Sequence, residues 1–306
     1  MGRKRFSPEY IAKIEHASPA RQACLRLMRR WDAKISLLVV GLYFIVAVIV
    51  SLNLFGIQEL ANDYDIRNIR NMKYHLIFSS FKEIFGTDNF GRNVFIRALI
   101  GTQISIFLGL LYSLLMIPFA VIIGALAGYY GRYFDSIAIY LMSVIVAIPG
   151  VLIILSLTKI LGASFATIAF ALAVTGWVGL ARMVRGTVMQ SKELDYVLAA
   201  RNMGAGDWRI IFVHILPNIT HFVIIYLVLG FVGIIKAETF LAFVGLTVSG
   251  TSSWGILITD GNSDIVANQW QNLIGATSFM FVFLLALNIL GDAVRDVLDP
   301  KLKNRS

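Results

Sequence analysis

The chain has 306 residues, of which 58% are hydrophobic and only 15% charged, with a mean hydropathy of +0.75. So few charges on so long a chain exclude an ordinary soluble domain and point to a polytopic membrane protein. A net charge of +9 suits nucleic acid until the positions of the basic residues are read, and a lone cysteine, Cys24, excludes an intrachain disulfide framework.

Residues 1–35 form an arm. Within it "SPARQACLRLMRRW" offers Ser18 as an N-cap and Pro19 at the first helical position. Cys24, Leu27, Met28 and Trp31 then share a face, with Arg21, Arg26, Arg29 and Arg30 mostly elsewhere. This predicts a helix lying on membrane lipid with snorkelling arginines; docking on a partner is the alternative. Residues 36–55 form the first span. It is too long for a leader's apolar core, has no A-x-A-like site after it, and reads as an anchor. A polar loop follows over 56–103. Five further spans are expected over 104–128, 136–158, 165–182, 219–240 and 273–291, forming a five-span core over 104–291, and 292–306 is a tail. Each span lies near the ~20 residues that cover a ~30 Å hydrocarbon core. The fold class is therefore all-α, with six transmembrane helices.

Of the 27 Lys and Arg, 19 fall in the arm, the tail and the connections on the same side of that topology. The positive-inside rule places both termini in the cytoplasm. It also accounts for the charge without nucleic acid.

Residues 183–218 form a long cytosolic connection containing "YVLAARNMGAGDWRIIFVHILPN". A helix is expected over 192–203, with Gly204 at a left-handed C-cap position. Asp207 is expected to cap a second short helix, and Pro217 to sit in the first turn of the fifth span. A connection needs only two to eight residues. A helix–Gly–helix of this length is shaped to fit something outside the membrane.

The same stretch resembles the E-A-A-x3-G-x9-I-x-L-P loop of ABC importer permease subunits. Ala199, Ala200, Gly204, Leu216 and Pro217 match, while Leu198 and His214 depart from it. "GTDNFGRNVFIRALIGTQIS" (86–105) resembles the G-T-D-x-x-G-R-D-x-x-S-R-x-x-x-G-x-R-x-S signature of the dipeptide/oligopeptide/nickel branch. Gly86, Thr87, Asp88, Gly91, Arg92, Arg97, Gly101 and Ser105 match; Asn93, Ile96 and Gln103 do not. "TGWVGLARMVRG" (175–186), "AETFLAFVGL" (237–246) and "LNILGDAVRDVLDPKLK" (287–303) resemble later parts of that branch.

The resemblance implies the six-span type I importer fold. It also implies a homologous second permease, two cytosolic ATPases holding ATP and Mg, and an extracytoplasmic binding protein. Peptides are the implied substrate, with nickel the alternative. Tyr196, Ala199, Ala200, Arg201, Gly204, Ala205 and Pro217 are the implied coupling residues, with Ala200 allowing the ATPase to approach closely. No G-x-x-x-x-G-K-[ST], H-E-x-x-H or G-x-S-x-G occurs, so no cofactor is expected in this chain and the subunit is not itself an enzyme.

Other candidates are weaker. Asp292, Arg295, Asp296 and Asp299 follow an i, i+3, i+4, i+7 pattern, read as an ion-paired face and not a metal site. His214 and His221 flank Pro217 with no third ligand in view, so no metal is expected. Pro149, Tyr226, Glu238 and Asn288 are candidates for a pathway, with Ser143, Ser156, Thr175 and Thr277 as polar neighbours. Kinking for Pro149, and solvation beside Lys236 for Glu238, are the plain alternatives. A stand-alone transporter or channel would show inverted repeats and intramembrane charges, and no convincing repeat is visible.

Overall fold

The computed structural model describes residues 25–58, 84–246, 252–267 and 269–298. Ser18, Pro19, Cys24, Asp299 and Pro300 lie outside them. With no water in hydrocarbon, an apolar segment must satisfy its own backbone, and these segments do so as helices. They are α1 Trp31–Ser51, α2 Val94–Tyr130, α3 Arg132–Ala147, α4 Gly150–Leu161 and α5 Phe165–Ser191. After them come α6 Asp195–Asn202, α7 Asp207–Phe243, α8 Trp254–Asp264 and α9 Gln271–Leu298. Helices α1, α2, α5, α7 and α9 are long and apolar enough to cross a membrane.

The third span departs from expectation. It is two helices, α3 and α4, bent by 85° across Ile148 and Pro149. Ile148 is extended (φ −97°, ψ 131°), the conformation into which a following proline pushes its neighbour. Pro118 has the same chemistry, yet α2 runs through it unbroken. Chain direction shows what the bent pair achieves. Tyr112, Gly124 and Gly128 of α2 lie against Gly176, Ala181 and Arg185 of α5 in the same order, so these two helices are parallel. The chain must return between them, and α3 with α4 is that return. The pair counts as one crossing, which gives six.

Helix α2 begins ten residues before the expected boundary at 104. Asn93 caps it, its side chain accepting the Ile96 N–H at 3.1 Å, so the first polar turns are helical and not loop. Helix α7 also starts early. The expected separate short helix is absent, because Asp207 onward continues into the fifth span. A π turn over Ile210–Ile215, with Leu216 N–H reaching Ile211 O, makes the join. That wider turn accommodates Pro217, whose ring would otherwise meet the preceding turn.

Small residues let α2 and α5 approach. Gly124 and Gly128 are four apart; a Cβ on either would stand 2.6 Å from a backbone carbonyl of α5, Ala181 O and Arg185 O respectively. This is the small-xxx-small geometry by which helices associate in lipid. Gly128→Leu is expected to cost about 1–3 kcal/mol through overpacking. Gly186→Ala, where a Cβ meets nothing within 4 Å, should stay within about 0.5 kcal/mol. Thermal denaturation of the purified protein checks both.

A second cluster joins α1, α7 and α9. Tyr43 stacks on Phe283 at 4.8 Å between ring centres and donates its hydroxyl to Phe279 O at 2.9 Å.

Candidate functional site

Chemistry-bearing side chains gather at the two ends of the bundle. At one end the 86–93 segment turns tightly into α2. Gly86 and Gly91 have φ of +70° and +76°, and Thr87 pairs with Asn93 across the turn. This aims Asp88 inward. Its carboxylate is buried and accepts the backbone N–H of Phe90 (3.0 Å) and Arg92 (2.8 Å). Arg92 Nε and Arg97 Nη1 each donate to it at 2.7 Å. Arg97 is itself 2% exposed and reaches on through Nη2 to Asp260 Oδ2 on α8 at 2.9 Å. Asp264, one turn along α8, accepts hydrogen bonds from Asn89 and, at 2.9 Å, from Asn272 of α9. Trp254 closes the knot, lying on Gly101 and donating to Ala98 O at 2.9 Å.

Of the signature residues, Asp88, Arg92 and Arg97 therefore meet one another and, through Asp260, α8. What they build is a clamp of ion pairs running from the buried Asp88 and Arg97 out to the partly exposed Asp260, with Asp264 tied to α9 by the Asn272 amide. The sequence reading missed α8, Asp260 and Asp264. The available signal was Ser253, whose hydroxyl caps α8 by accepting the Ile256 N–H at 3.2 Å.

At the other end α6 lies across the bundle. Val197 and Ala200, three residues apart and so on one face, are both buried. Val197 packs in the cluster that contains Ile210, Ile211 and Ile215. Ala200 thus faces the protein's own interior, and the expected close approach of a partner at Ala200 is corrected. Gly204 adopts φ +83°, and Ala205 N–H returns to Ala200 O at 3.1 Å, which ends the helix. Nothing lies within 4 Å of a Cβ at Gly204, so its backbone alone calls for glycine there.

Asp207 does not cap the next helix; Gly206 holds that position. The Asp207 carboxylate instead accepts the Tyr129 hydroxyl at 2.7 Å, and Arg201 Nη2 donates to the same hydroxyl at 3.1 Å. Tyr129, unforeseen, ties α6 and α7 to the end of α2. Beside it Arg185 of α5 grips Asp135 of α3 with two hydrogen bonds.

Outward from this frame stand Tyr196, Ala199, Met203, Trp208 and Phe212, with Met203 81% and Trp208 60% exposed. Trp208 and Phe212 stack at 5.5 Å. Pro217 is exposed at the start of the straight part of α7.

The first and last of these helices are also tied to each other. Arg30, just before α1, donates to Asp296 near the end of α9 at 2.6 Å and to Asp32 at 2.7 Å. The ion pairing expected along 292–299 is thus made across to α1.

The four pathway candidates, Pro149, Tyr226, Glu238 and Asn288, each have their own surroundings. Pro149 lies at the α3–α4 break. Tyr226 packs its hydroxyl on Gly179, and Asn288 donates to Leu284 O of its own helix at 2.8 Å. Glu238 is buried, not solvated beside the exposed Lys236. Its carboxylate receives Ser253 and the Gly255 amide at the first turn of α8, while Oε2 is buried with no partner among the described residues.

Residues 120–304 match the family of binding-protein-dependent transport system inner membrane components. The chain is 41% identical over 220 residues to the dipeptide transport system permease protein DppC of Bacillus subtilis (strain 168), covering 72% of this chain and 69% of that one. With the oligopeptide transport system permease protein OppC of the same organism it shares 34% over 268 residues, 87% and 86% of the two chains. With DppC of Alkalihalophilus pseudofirmus it shares 31% over 299 residues, 97% and 95% of the two chains.

Proposed function

The chain belongs to the family of binding-protein-dependent transport system inner membrane components, and from that premise we propose that it is the permease subunit of an ATP-driven importer of di- or oligopeptides. It has the all-helical type I importer permease fold. The peptide reading is supported by relatives named for dipeptide and oligopeptide transport. Nothing among the relatives or in the structure favours nickel or a channel working alone.

The observation that carries the mechanism is the platform of α6 and the start of α7. Its inner residues are buried and tied through Tyr129 to α2, while Met203, Trp208 and Phe212 face outward at the end of the bundle. An exposed apolar patch on a frame rigidly joined to the spans suits a protein partner. We assign this end to the cytoplasm, where each of two ATPase subunits binds ATP and Mg and docks on such a platform. On that assignment Arg30, before α1, and Asp296, near the end of α9, lie on the cytoplasmic side, and the Asp88 clamp faces the extracytoplasmic binding protein. A homologous permease supplies the other half of the pathway, and lipid surrounds the apolar faces of the pair.

The work of the chain is mechanical. A displacement of the platform by ATP-driven closure of the ATPases moves α7 directly, since no break separates residues 207–215 from its span. It moves α2 through the Tyr129 hydroxyl. Affinity purification of the tagged chain in mild detergent is expected to bring down an ATPase and a second permease in stoichiometric amounts. Peptide uptake by liposomes holding this chain alone, without ATP, would refute the proposal.

A further inference from the structure

A cavity of about 840 Å³ lies against α2, between the end of α1 and the start of α5. Of the residues discussed above, Gln103, where the chain departs from the signature, lines it. Its size falls within the roughly 300–1,000 Å³ of sites for small ligands. One wall is an apolar stripe, Phe107, Leu110 and Leu114, which share a face of α2. The remainder includes Ser51, Gln58, Gln103 and Ser252, and no charged side chain lines it among the described residues.

Gln103 is the informative member. It projects from the interior of a long apolar helix, and no described group pairs with its amide. An amide aimed into hydrocarbon would give up its hydrogen bonds to water for nothing, so this face of α2 is not built for acyl chains. A primary amide carries both donor and acceptor, the complement of a peptide bond. The adjacent stripe suits an apolar or neutral side chain.

We propose that this cavity is a passage site for peptide cargo, and that Gln103 makes it select peptides with uncharged side chains. The inference rests on the peptide-importer reading and specifies where selection occurs within it. The chemistry follows from the lining: a charged cargo side chain would find no counter-charge among the described lining residues and would lose its hydration there. A carboxylate at position 103 would provide one for cationic peptides, and a guanidinium for acidic ones.

The test uses the whole complex with one unchanged binding protein, so that any shift in selectivity arises in the membrane. Uptake of alanyl-glutamine, alanyl-glutamate and alanyl-lysine is compared for wild type, Gln103→Arg, Gln103→Glu and Gln103→Leu. Wild type is expected to favour alanyl-glutamine. Gln103→Arg should raise the glutamate-to-glutamine uptake ratio about tenfold, the scale of one charge pair in a partly shielded site. Gln103→Glu should raise the lysine-to-glutamine ratio instead, and it decides the matter if the arginine variant does not assemble. Unchanged ratios in variants present at normal amounts would overturn the inference alone, since wild-type uptake independently reports the peptide reading. Wild-type rates for all three peptides in Gln103→Leu would assign the cavity to lipid and likewise overturn it. A wild-type complex that imports no peptide would overturn both.

Discussion

Replacing Arg97 with leucine is expected to cost on the order of 3–5 kcal/mol of folded stability, the penalty for stranding a buried charge. The guanidinium is 2% exposed and joins Asp88, at 2.7 Å, to Asp260, at 2.9 Å. Without it the Asp88 carboxylate keeps Arg92 and two backbone amides but sits, still buried, beside an apolar side chain. Arg97→Lys should recover only part of the loss, because one ammonium cannot present two separated donors to two carboxylates. Asp260→Asn should cost much less, since the Asp260 side chain is 37% exposed and water compensates it. Melting of the detergent-solubilised protein followed by size exclusion gives the order. An Arg97→Leu protein that melts with wild type would show that the clamp is not what holds α2 to α8.

That clamp illustrates what a sequence can and cannot disclose. Asp88, Arg92 and Arg97 were visible as a pattern, but their partner Asp260 lies 163 positions from Arg97, and no local rule pairs them. Helix α8 escaped notice because its 11 residues are too short and too polar to register as a span. The crossings were legible for the opposite reason: the apolar runs are long and hydrocarbon permits a segment little besides helix. Pro118 and Pro149 mark the boundary of that legibility. Both sit in apolar runs, yet one helix continues and the other turns through 85°. Their neighbours differ: Pro149 is followed by Gly150, a turn dipeptide, and Pro118 by Phe119. Helix α6 was likewise expected near its observed place, but a helix of eight residues with a mixed pattern does not announce which face turns inward.

The orientation of α6 leads to a contrast between two substitutions three residues apart. Ala200→Asp is expected to cost on the order of 3 kcal/mol or more, because it drives an unpaired carboxylate into the interior. Ala200 is 3% exposed, and its carbonyl takes the Ala205 N–H that ends the helix, so the platform itself should loosen. Met203→Asp adds the same charge where the side chain is 81% exposed, and should change stability by no more than about 0.5 kcal/mol. If the outward face docks an ATPase, the second substitution nevertheless buries a charge in that contact and abolishes substrate-stimulated ATP hydrolysis. Protease sensitivity of the 195–215 segment reports the first effect, and ATP hydrolysis by the reconstituted complex reports the second. The expected pattern is a nicked platform for Ala200→Asp and an intact but uncoupled one for Met203→Asp. Full coupling in Met203→Asp would mean that the exposed face of α6 carries no partner, and that motion reaches the spans from elsewhere.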